Sequence, residues 1–420
     1  MNISDLLKGR ICACGKKHSC NIRQVLIEQG AVSGIYNMAE NYGNILLVAD
    51  ENTYAICGKT VEELLKEKLL NKLVYKGSGL LIPDEKAVEE LDNAVSDKTD
   101  LIVGVGSGVI QDLCKYVSFN RGLPYYIVAT APSMDGYAST GAAMIAGNMK
   151  VTYSAHVPEV IIADVDILKN APTEMIQSGY GDIIGKLSCL NDWRLAALVN
   201  NEYFCRYVYD LTMQMTESIK DDGPLLLKRE PSAIKRLMEA LVGVGIAMAY
   251  VGNSRPASGS EHHLSHFFEV TGILNGEPYF IHGTDVAFST LYTCRMREEI
   301  LGLDEPRQAQ EFNRAVWERK IREIYGSAAA GVIELQDKSG EYAKDKISVY
   351  KQKWDEIKEI LSDAPSSEEI EGYLKSVGLD IADFRKMYSK EKLENAKWYA
   401  KDLKDRYSVL WLYYCLFCRI

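Results

Sequence analysis

Between Arg255 and Gly283 the chain reads Arg-Pro-Ala-Ser-Gly-Ser-Glu-His-His-Leu-Ser-His, then Phe-Phe-Glu, a short polar insert, and Ile281-His282-Gly283. His262, His263, His266 and His282 are four of the six histidines in the whole chain. Imidazole is the commonest neutral metal ligand, so this density points to half of a metal site. His262 and His266 are four residues apart and share one face of a helix. His263 points about 100 degrees away. Spacing does not choose among the three, and any one of them is also compatible with a hydrogen-bonded core histidine. Imidazoles need an anionic partner. The stretch Gly179-Tyr-Gly181-Asp182-Ile-Ile-Gly185-Lys186 supplies Asp182, in the first turn of an expected helix. Its bland reading is a helix cap. Asp182, one helical histidine and His282 would make a three-ligand site with positions left open for substrate and water.

A second chemical signal is Gly104-Val-Gly106-Ser-Gly108, placed between a buried strand and an amphipathic helix. Glycines let backbone approach a pyrophosphate, and a helix N-terminus offers amide donors and a positive dipole. It is not a full Gly-x-Gly-x-x-Gly fingerprint, and a tight strand-to-helix turn reads the same way. Asp50 ends an earlier strand, where an acid can bind the ribose hydroxyl of NAD and repel the 2′-phosphate of NADP. The polar loop Thr130-Ala-Pro-Ser133-Met-Asp135-Gly136-Tyr-Ala-Ser139 leaves the same sheet edge.

Positioning these residues requires an α/β first half. Ile45–Ala49, Leu101–Val103, Tyr125–Ala129 and Val160–Val165 read as short buried strands, and 72–82 as a further strand region. Helices are expected over Glu85–Asp97 and Val109–Phe119, and from a capping-box start at Thr60 and Glu63. Such alternation implies a Rossmann-like parallel sheet with covered faces. After Pro172 the period is helical: Asp192–Val199, Phe204–Ile219, Ala233–Tyr250, Ala309–Tyr325, a capping box at Ser366 and Glu369, and a long last helix over Glu391–Leu416. The expected division is therefore 1–170, α/β and dinucleotide-binding, and 171–420, all-helical with metal and substrate. Residues 1–22 form a Cys-rich prelude. Cys12, Cys14, His18 and Cys20 lie within nine residues, around a hairpin turn at Gly15. Zinc there competes with a plain hairpin, since Cys-x-Cys is not the usual knuckle spacing. The charged stretch Asp337–Asp363 reads as a solvated helix face.

Composition narrows the class. A net charge of −10 argues against a nucleic-acid binder. Met1–Asp5 shows no signal-peptide pattern, and no apolar run reaches the about 18 residues of a membrane span. Ten cysteines scattered through an acidic chain fit reduced thiols in a cytoplasm.

The combination of Gly-rich turn, helical second half and Asp…His-x-x-x-His…His-Gly resembles the iron-containing alcohol dehydrogenase and dehydroquinate synthase superfamily. Within it, four stretches are similar to the sn-glycerol-1-phosphate dehydrogenase family. They are Thr-Ala-Pro-Ser-Met-Asp-Gly at 130–136, Gly-Asp-Ile-Ile-Gly-Lys at 181–186 with Asp192-Trp193 behind it, Arg-Pro-Ala-Ser-Gly-Ser-Glu-His at 255–262, and the N-terminal Cys-x-Cys-Gly-Lys-x-His. Arg406-Tyr407-Ser408-Val409-Leu410 extends the likeness.

The resemblance implies Asp182, His262 and His282 as ligands of one divalent metal, zinc or nickel first and iron next. It implies His266 and Asp135 as catalytic and substrate-contacting groups, with Asp182 also touching substrate. Lys186 and Arg255 are our candidates for the substrate phosphate. NAD, with NADP as the other option, would lie on Asp50, Gly106, Gly108, Val109, Ile110, Gln111, Asp112, Thr130, Ala131, Pro132, Ser133 and Ser139. The implied reaction is reversible reduction of dihydroxyacetone phosphate, a triose phosphate, to sn-glycerol 1-phosphate in phospholipid biosynthesis. A cytoplasmic homo-oligomer, a dimer first, completes the expectation. Two departures stand out: Thr271–Pro278 lengthens the link between histidines, and Asp337–Asp363 matches no motif. The competing readings are a glycerol or other polyol dehydrogenase, a carbocycle-forming synthase of the dehydroquinate type, and a non-catalytic zinc-storage protein.

Overall fold

The computed structural model describes residues 3–77, 81–147 and 149–419. Among the described residues every strand lies before residue 165, and everything after it is helix or connection. Spatial contact groups the chain into two units, one of residues 1–180 and 217–254, the other of 181–216 and 255–420. The helical stretch 217–254 thus belongs with the sheet.

The first unit opens with an antiparallel hairpin of β1 (Arg10–Ile11) and β2 (Lys17–His18). Six parallel strands follow: β3 (Gln24–Glu28), β4 (Ile45–Asp50), β5 (Leu69–Tyr75), β6 (Leu101–Gly106), β7 (Tyr125–Ala129) and β10 (Val160–Asp164), in the order β3-β10-β7-β6-β4-β5. Residues 45–49, 101–103, 125–129 and 160–163 are buried on both faces, as continuous apolar runs in a covered parallel sheet must be. From β4 the chain moves outward to β5 and then returns to β6 on the other side. β4 and β6 therefore flank a switch point, and open α/β sheets bind ligands at the carboxyl edge of such a point.

Helix α1 (Gly108–Arg121) leaves β6 and is stopped by Gly122 in the left-handed region at φ 65°. A β-hairpin of β8 (Gly141–Ala146) and β9 (Met149–Ser154) precedes β10; small residues give it little alternation to read. The strand expected over 72–82 is β5, which starts earlier and ends at Tyr75; residues 78–80 lie outside the described residues.

The helices most relevant to chemistry are α2 (Thr173–Ile184), α3 (Lys186–Asn200), α4 (Pro231–Val251), α5 (Ser260–Asn275), α6 (His282–Leu301) and α7 (Val409–Phe417). Helix α4 starts with Pro at its first position, ends at Gly252, and is apolar nearly all round, so it is buried.

Three further local expectations change. The capping box falls at Asp50 and Thr53 rather than Thr60 and Glu63, because the chain passes through a π-helical turn at Tyr54–Gly58 first. The expected last helix is broken: Lys390–Tyr399, a 3₁₀ turn to Leu403, then α7. Buried Lys401 and Asp402 pair at 2.9 Å in that break. The charged stretch 337–363 is several short helices that bury Tyr350, Trp354, Ile357 and Leu361, so it covers core as well as facing solvent. The Ser366–Glu369 capping box is present as expected. No described helix is long and apolar enough to cross a membrane.

Candidate active site

In the second unit Asp182, His262 and His282 bring one donor atom each to within 4.8 Å of one another. Asp182 comes from the last turn of α2, His262 from the first turn of α5, and His282 opens α6. Glycines make this convergence possible. A Cβ on Gly181 would overlap the Gly283 carbonyl and the Ala287 side chain, so α2 meets the start of α6 there. A Cβ on Gly185 would meet Val286 at 2.6 Å. At Gly259 it would meet both Asp192 Oδ2 and Cys189 Cα at 2.7 Å.

Asp192 fixes where α5 begins. Its buried carboxylate accepts from the Ser260 amide at 2.6 Å, the Val409 amide at 2.9 Å and Arg297 at 2.8 Å. One side chain thus satisfies amides at the starts of α5 and α7, which would otherwise lack partners. Burial pushes its carboxyl above the ordinary value, with Arg297 opposing.

The histidines are oriented rather than merely gathered. Glu261, fully buried, accepts from His262 Nδ1 at 2.7 Å and from the Gly259 amide at 2.7 Å. Burial pushes its carboxyl up, but His262 and the backbone amides of Gly259 and of Glu261 itself outweigh burial and hold it below its usual range. With Nδ1–H donated to Glu261, the lone pair of His262 sits on Nε2, 3.5 Å from Asp182 Oδ1. Asp182 is buried too; burial raises its carboxyl, and Lys186, His262 and His282 together pull it well below the ordinary carboxylate range. The His282 ring lies 5.1 Å from that of His262, and the His266 ring lies 5.6 Å from that of His282, one turn along α5. His266 stands beside the three-donor set without belonging to it. His263 is completely buried, and among the described residues neither ring nitrogen has a hydrogen-bond partner. Burial first, then Lys404, Arg406 and Arg255, keep it neutral.

The two phosphate candidates are engaged otherwise in this structure. Lys186 donates to Asp182 at 2.6 Å and to the Ala257 carbonyl at 3.0 Å, with no exposed side chain. Arg255 grips Glu202 with two donors and the Tyr407 carbonyl at 2.8 Å. Lys404 and Arg406, which spacing did not single out, reach the Ser258 hydroxyl at 3.1 Å and the Ser258 carbonyl at 2.9 Å, just ahead of α5.

In the first unit the candidate cofactor residues fall at the switch point. Ala49 of β4 pairs in register with Val105 of β6, so Asp50 and the Gly-rich turn emerge side by side. The glycines divide their work. A Cβ on Gly104 would meet Cys114 at 2.9 Å and on Gly106 would meet Ile110 at 2.6 Å, so these two let α1 pack on the sheet. Gly108 has only the Met134 side chain nearby, at 3.4 Å, and opens the N-terminus of α1 with Val109 and Ile110. Asp50 caps its own helix, its carboxylate accepting from the Thr53 amide at 2.9 Å. The Gln111 side chain turns inward, donating to Tyr125 Oη and the Tyr137 carbonyl, both at 3.0 Å.

The loop from Thr130 to Ser139 is buried at Thr130–Ser133, Asp135 and Ser139. Lys115 pins it. From α1, the buried ammonium donates to Gly136 O at 3.0 Å, Ser139 Oγ at 3.2 Å and Gly141 O at 2.8 Å, and lies 3.5 Å from Asp112. Burial lowers its affinity for the proton, partly offset by Asp112 and Asp135. Gly179 of α2 and Gly245 of α4 make room for the loop: a Cβ on the first would overlap the Pro132 carbonyl oxygen, and on the second would meet the Asp135 backbone carbonyl oxygen at 2.8 Å. Spacing could not have found Lys115, Asp192 or Glu261, since each acts through contacts distant in sequence or through a helix end.

A family model described as iron-containing alcohol dehydrogenase matches residues 27–172. A glycerol-1-phosphate dehydrogenase [NAD(P)+] of Halalkalibacterium halodurans is 33% identical over 67% of this chain and 72% of its own length. The protein of the same name from Geobacillus thermodenitrificans is 30% identical over 91% of this chain and 89% of its own. Among solved structures, an archaeal halo-thermophilic alcohol dehydrogenase from a Red Sea brine pool superposes with a TM-score of 0.60 at 15% identity, covering 96% of this chain and 93% of that one. At that identity the likeness speaks for the fold.

Proposed function

Because the chain belongs to the glycerol-1-phosphate dehydrogenase [NAD(P)+] family, we propose that it reversibly reduces dihydroxyacetone phosphate to sn-glycerol 1-phosphate with a nicotinamide cofactor. The observation that carries this reading is the convergence of Asp182, His262 and His282 on one point. One carboxylate and two imidazoles fit a divalent ion with positions left open, and zinc, nickel and iron all accept such a set. When bound, the ion supplies Lewis acidity at the substrate and the nicotinamide supplies the hydride.

The residues of the chain do the rest. Asp182, His262 and His282 hold the ion, and Glu261 keeps His262 in the tautomer that presents Nε2. His266 exchanges the proton of the C2 oxygen, and Asp135 orients the adjacent hydroxyl. Asp182 touches the substrate as well as the ion. The amides of Gly108–Asp112 and the groups of Thr130–Ser133 hold the dinucleotide, with Gly106, Asp50 and Ser139 beside it. The phosphate meets cations. Lys186 and Arg255 would have to exchange their present partners for it, whereas Lys404 and Arg406 add positive charge at the start of α5. A cytoplasmic homodimer belongs to the same reading.

The test compares NADH oxidation with dihydroxyacetone phosphate and with dihydroxyacetone. Phosphorylated ketone should be strongly preferred in kcat/KM; equal rates, or preference for the free ketone, would replace this reading with a polyol dehydrogenase. H266A should retain its metal and lose about 10²–10⁴-fold in kcat. Loss of metal from H266A with retention in H262A would exchange the two roles.

A further inference from the structure

The N-terminal hairpin carries chemistry that the dehydrogenase reaction does not use. Cys12, Cys14 and His18 bring their sulfur and nitrogen donors within 4.8 Å of one another. We propose that they bind a structural zinc ion, separate from the Asp182–His262–His282 set.

Backbone geometry presets the ligands. β1 and β2 pair Arg10 with His18 and Ile11 with Lys17. The turn between them is closed by Cys12 N–H to Lys16 O and Gly15 N–H to Cys12 O, both at 3.0 Å. Gly15 has φ 85°, in the left-handed region, and Gly9 has φ 65° with no room for a Cβ against the His18 carbonyl at 2.8 Å. The hairpin therefore folds Cys12 and Cys14 back toward His18.

Side-chain geometry agrees. Cys14 Sγ lies 3.4 Å from His18 Nε2. A tetrahedral zinc with bonds of about 2.3 Å to sulfur and about 2.0–2.1 Å to nitrogen holds those atoms about 3.5 Å apart. His18 is fully buried, and its Nδ1–H donates to the Tyr250 carbonyl at 3.0 Å. That bond assigns the lone pair to Nε2, the nitrogen that faces Cys14, as a ligating histidine requires. The ring also stacks on Tyr250, centroids 5.4 Å apart and planes 22° from parallel. No disulfide uses these thiols. Two thiolates and an imidazole are a donor set that selects zinc over the harder magnesium and calcium.

The consequence is mechanical. Tyr250 lies in the last turn of α4, whose final carbonyls have no partner within the helix. His18 satisfies one of them, and the Tyr250 hydroxyl donates back to the Leu6 carbonyl. Zinc would thus tie the first twenty or so residues to the end of α4.

The experiment is cobalt substitution of the full-length protein, with metal counted per chain. The Asp182 set contains no sulfur, so sulfur-to-cobalt charge-transfer absorption reports the hairpin alone. It is expected in wild type and in D182N, and absent in C14S. Zinc-grown wild type should carry one metal equivalent per chain more than C14S, and C20S should match wild type. If C14S fails to fold, wild type and D182N still decide the matter. Cobalt-loaded wild type without the sulfur band overturns the site, as does a band that survives in C12S, C14S and H18A.

Discussion

Glu261→Gln isolates what the neighbour of a proposed metal ligand contributes. Gln keeps the shape and one oxygen to accept from His262 Nδ1 and the Gly259 amide, both now at 2.7 Å from the carboxylate. What it loses is charge. Charge-assisted hydrogen bonds contribute about 1.5–3 kcal/mol and neutral ones about 0.5–1.5 kcal/mol. The difference of about 1–1.5 kcal/mol corresponds to metal binding about five- to twelve-fold weaker, at the lower end of the about 10–100-fold typical of outer partners. E261A removes the acceptor as well. Two buried N–H groups are then orphaned, each at about 1–3 kcal/mol. That cost divides between metal affinity and folding. The assay is competition for zinc against a chromophoric chelator of known affinity, with the melting temperature measured on the same samples. The expected order of affinity is wild type, E261Q, E261A. Equal affinity in all three would refute the assignment of Glu261 as the group that orients His262.

Two further perturbations test the first unit. G179A places a methyl group on the Pro132 carbonyl oxygen, backbone against backbone, so nothing flexible can yield. It should cost about 3 kcal/mol, the upper end of overpacking, and weaken NADH binding through the displaced loop. Wild-type denaturation midpoint and NADH affinity would contradict the close approach. His156 Nε2 and Ser118 Oγ share a hydrogen bond at 2.8 Å, and the ring stacks on Tyr125; burial first and Lys115 second lower its folded pKa. A histidine depressed in the folded state binds protons more readily when unfolded. Its effect is therefore absent well above about pH 6.5 and destabilises progressively as pH falls below that value. H156N should melt with a smaller difference between about pH 7.5 and about pH 5.5 than wild type. Identical differences would show that this histidine does not set the acid response.

How far the sequence reaches depends on whether the deciding interactions are local. The strands at 45–49, 101–103, 125–129 and 160–163 were legible because a sheet covered on both faces demands unbroken apolar runs. The candidate metal donors were legible as types, and the structure brings Asp182, His262 and His282 together, but spacing alone could not rank His262 over His263. The ranking comes from Glu261. Residues one apart on a helix do not ordinarily face each other. Here the helix has only just begun, so the Glu261 side chain folds back to the Gly259 amide and meets His262 Nδ1 on the way. That start is itself set from afar. Asp192 accepts from the amides of Ser260 and of Val409, the latter 217 residues away in sequence. The same bond explains why the apparent last helix breaks before Ser408 although no proline or glycine marks the place. A helix end satisfied by a distant carboxylate leaves no local signature. Asp192 and Gly259 touch no ligand, yet they fix the turn on which His262 and Glu261 stand. In this fold, the reach of the sequence stops where a helix is begun by a tertiary contact, and His262, one of the three candidate metal donors, stands on such a start.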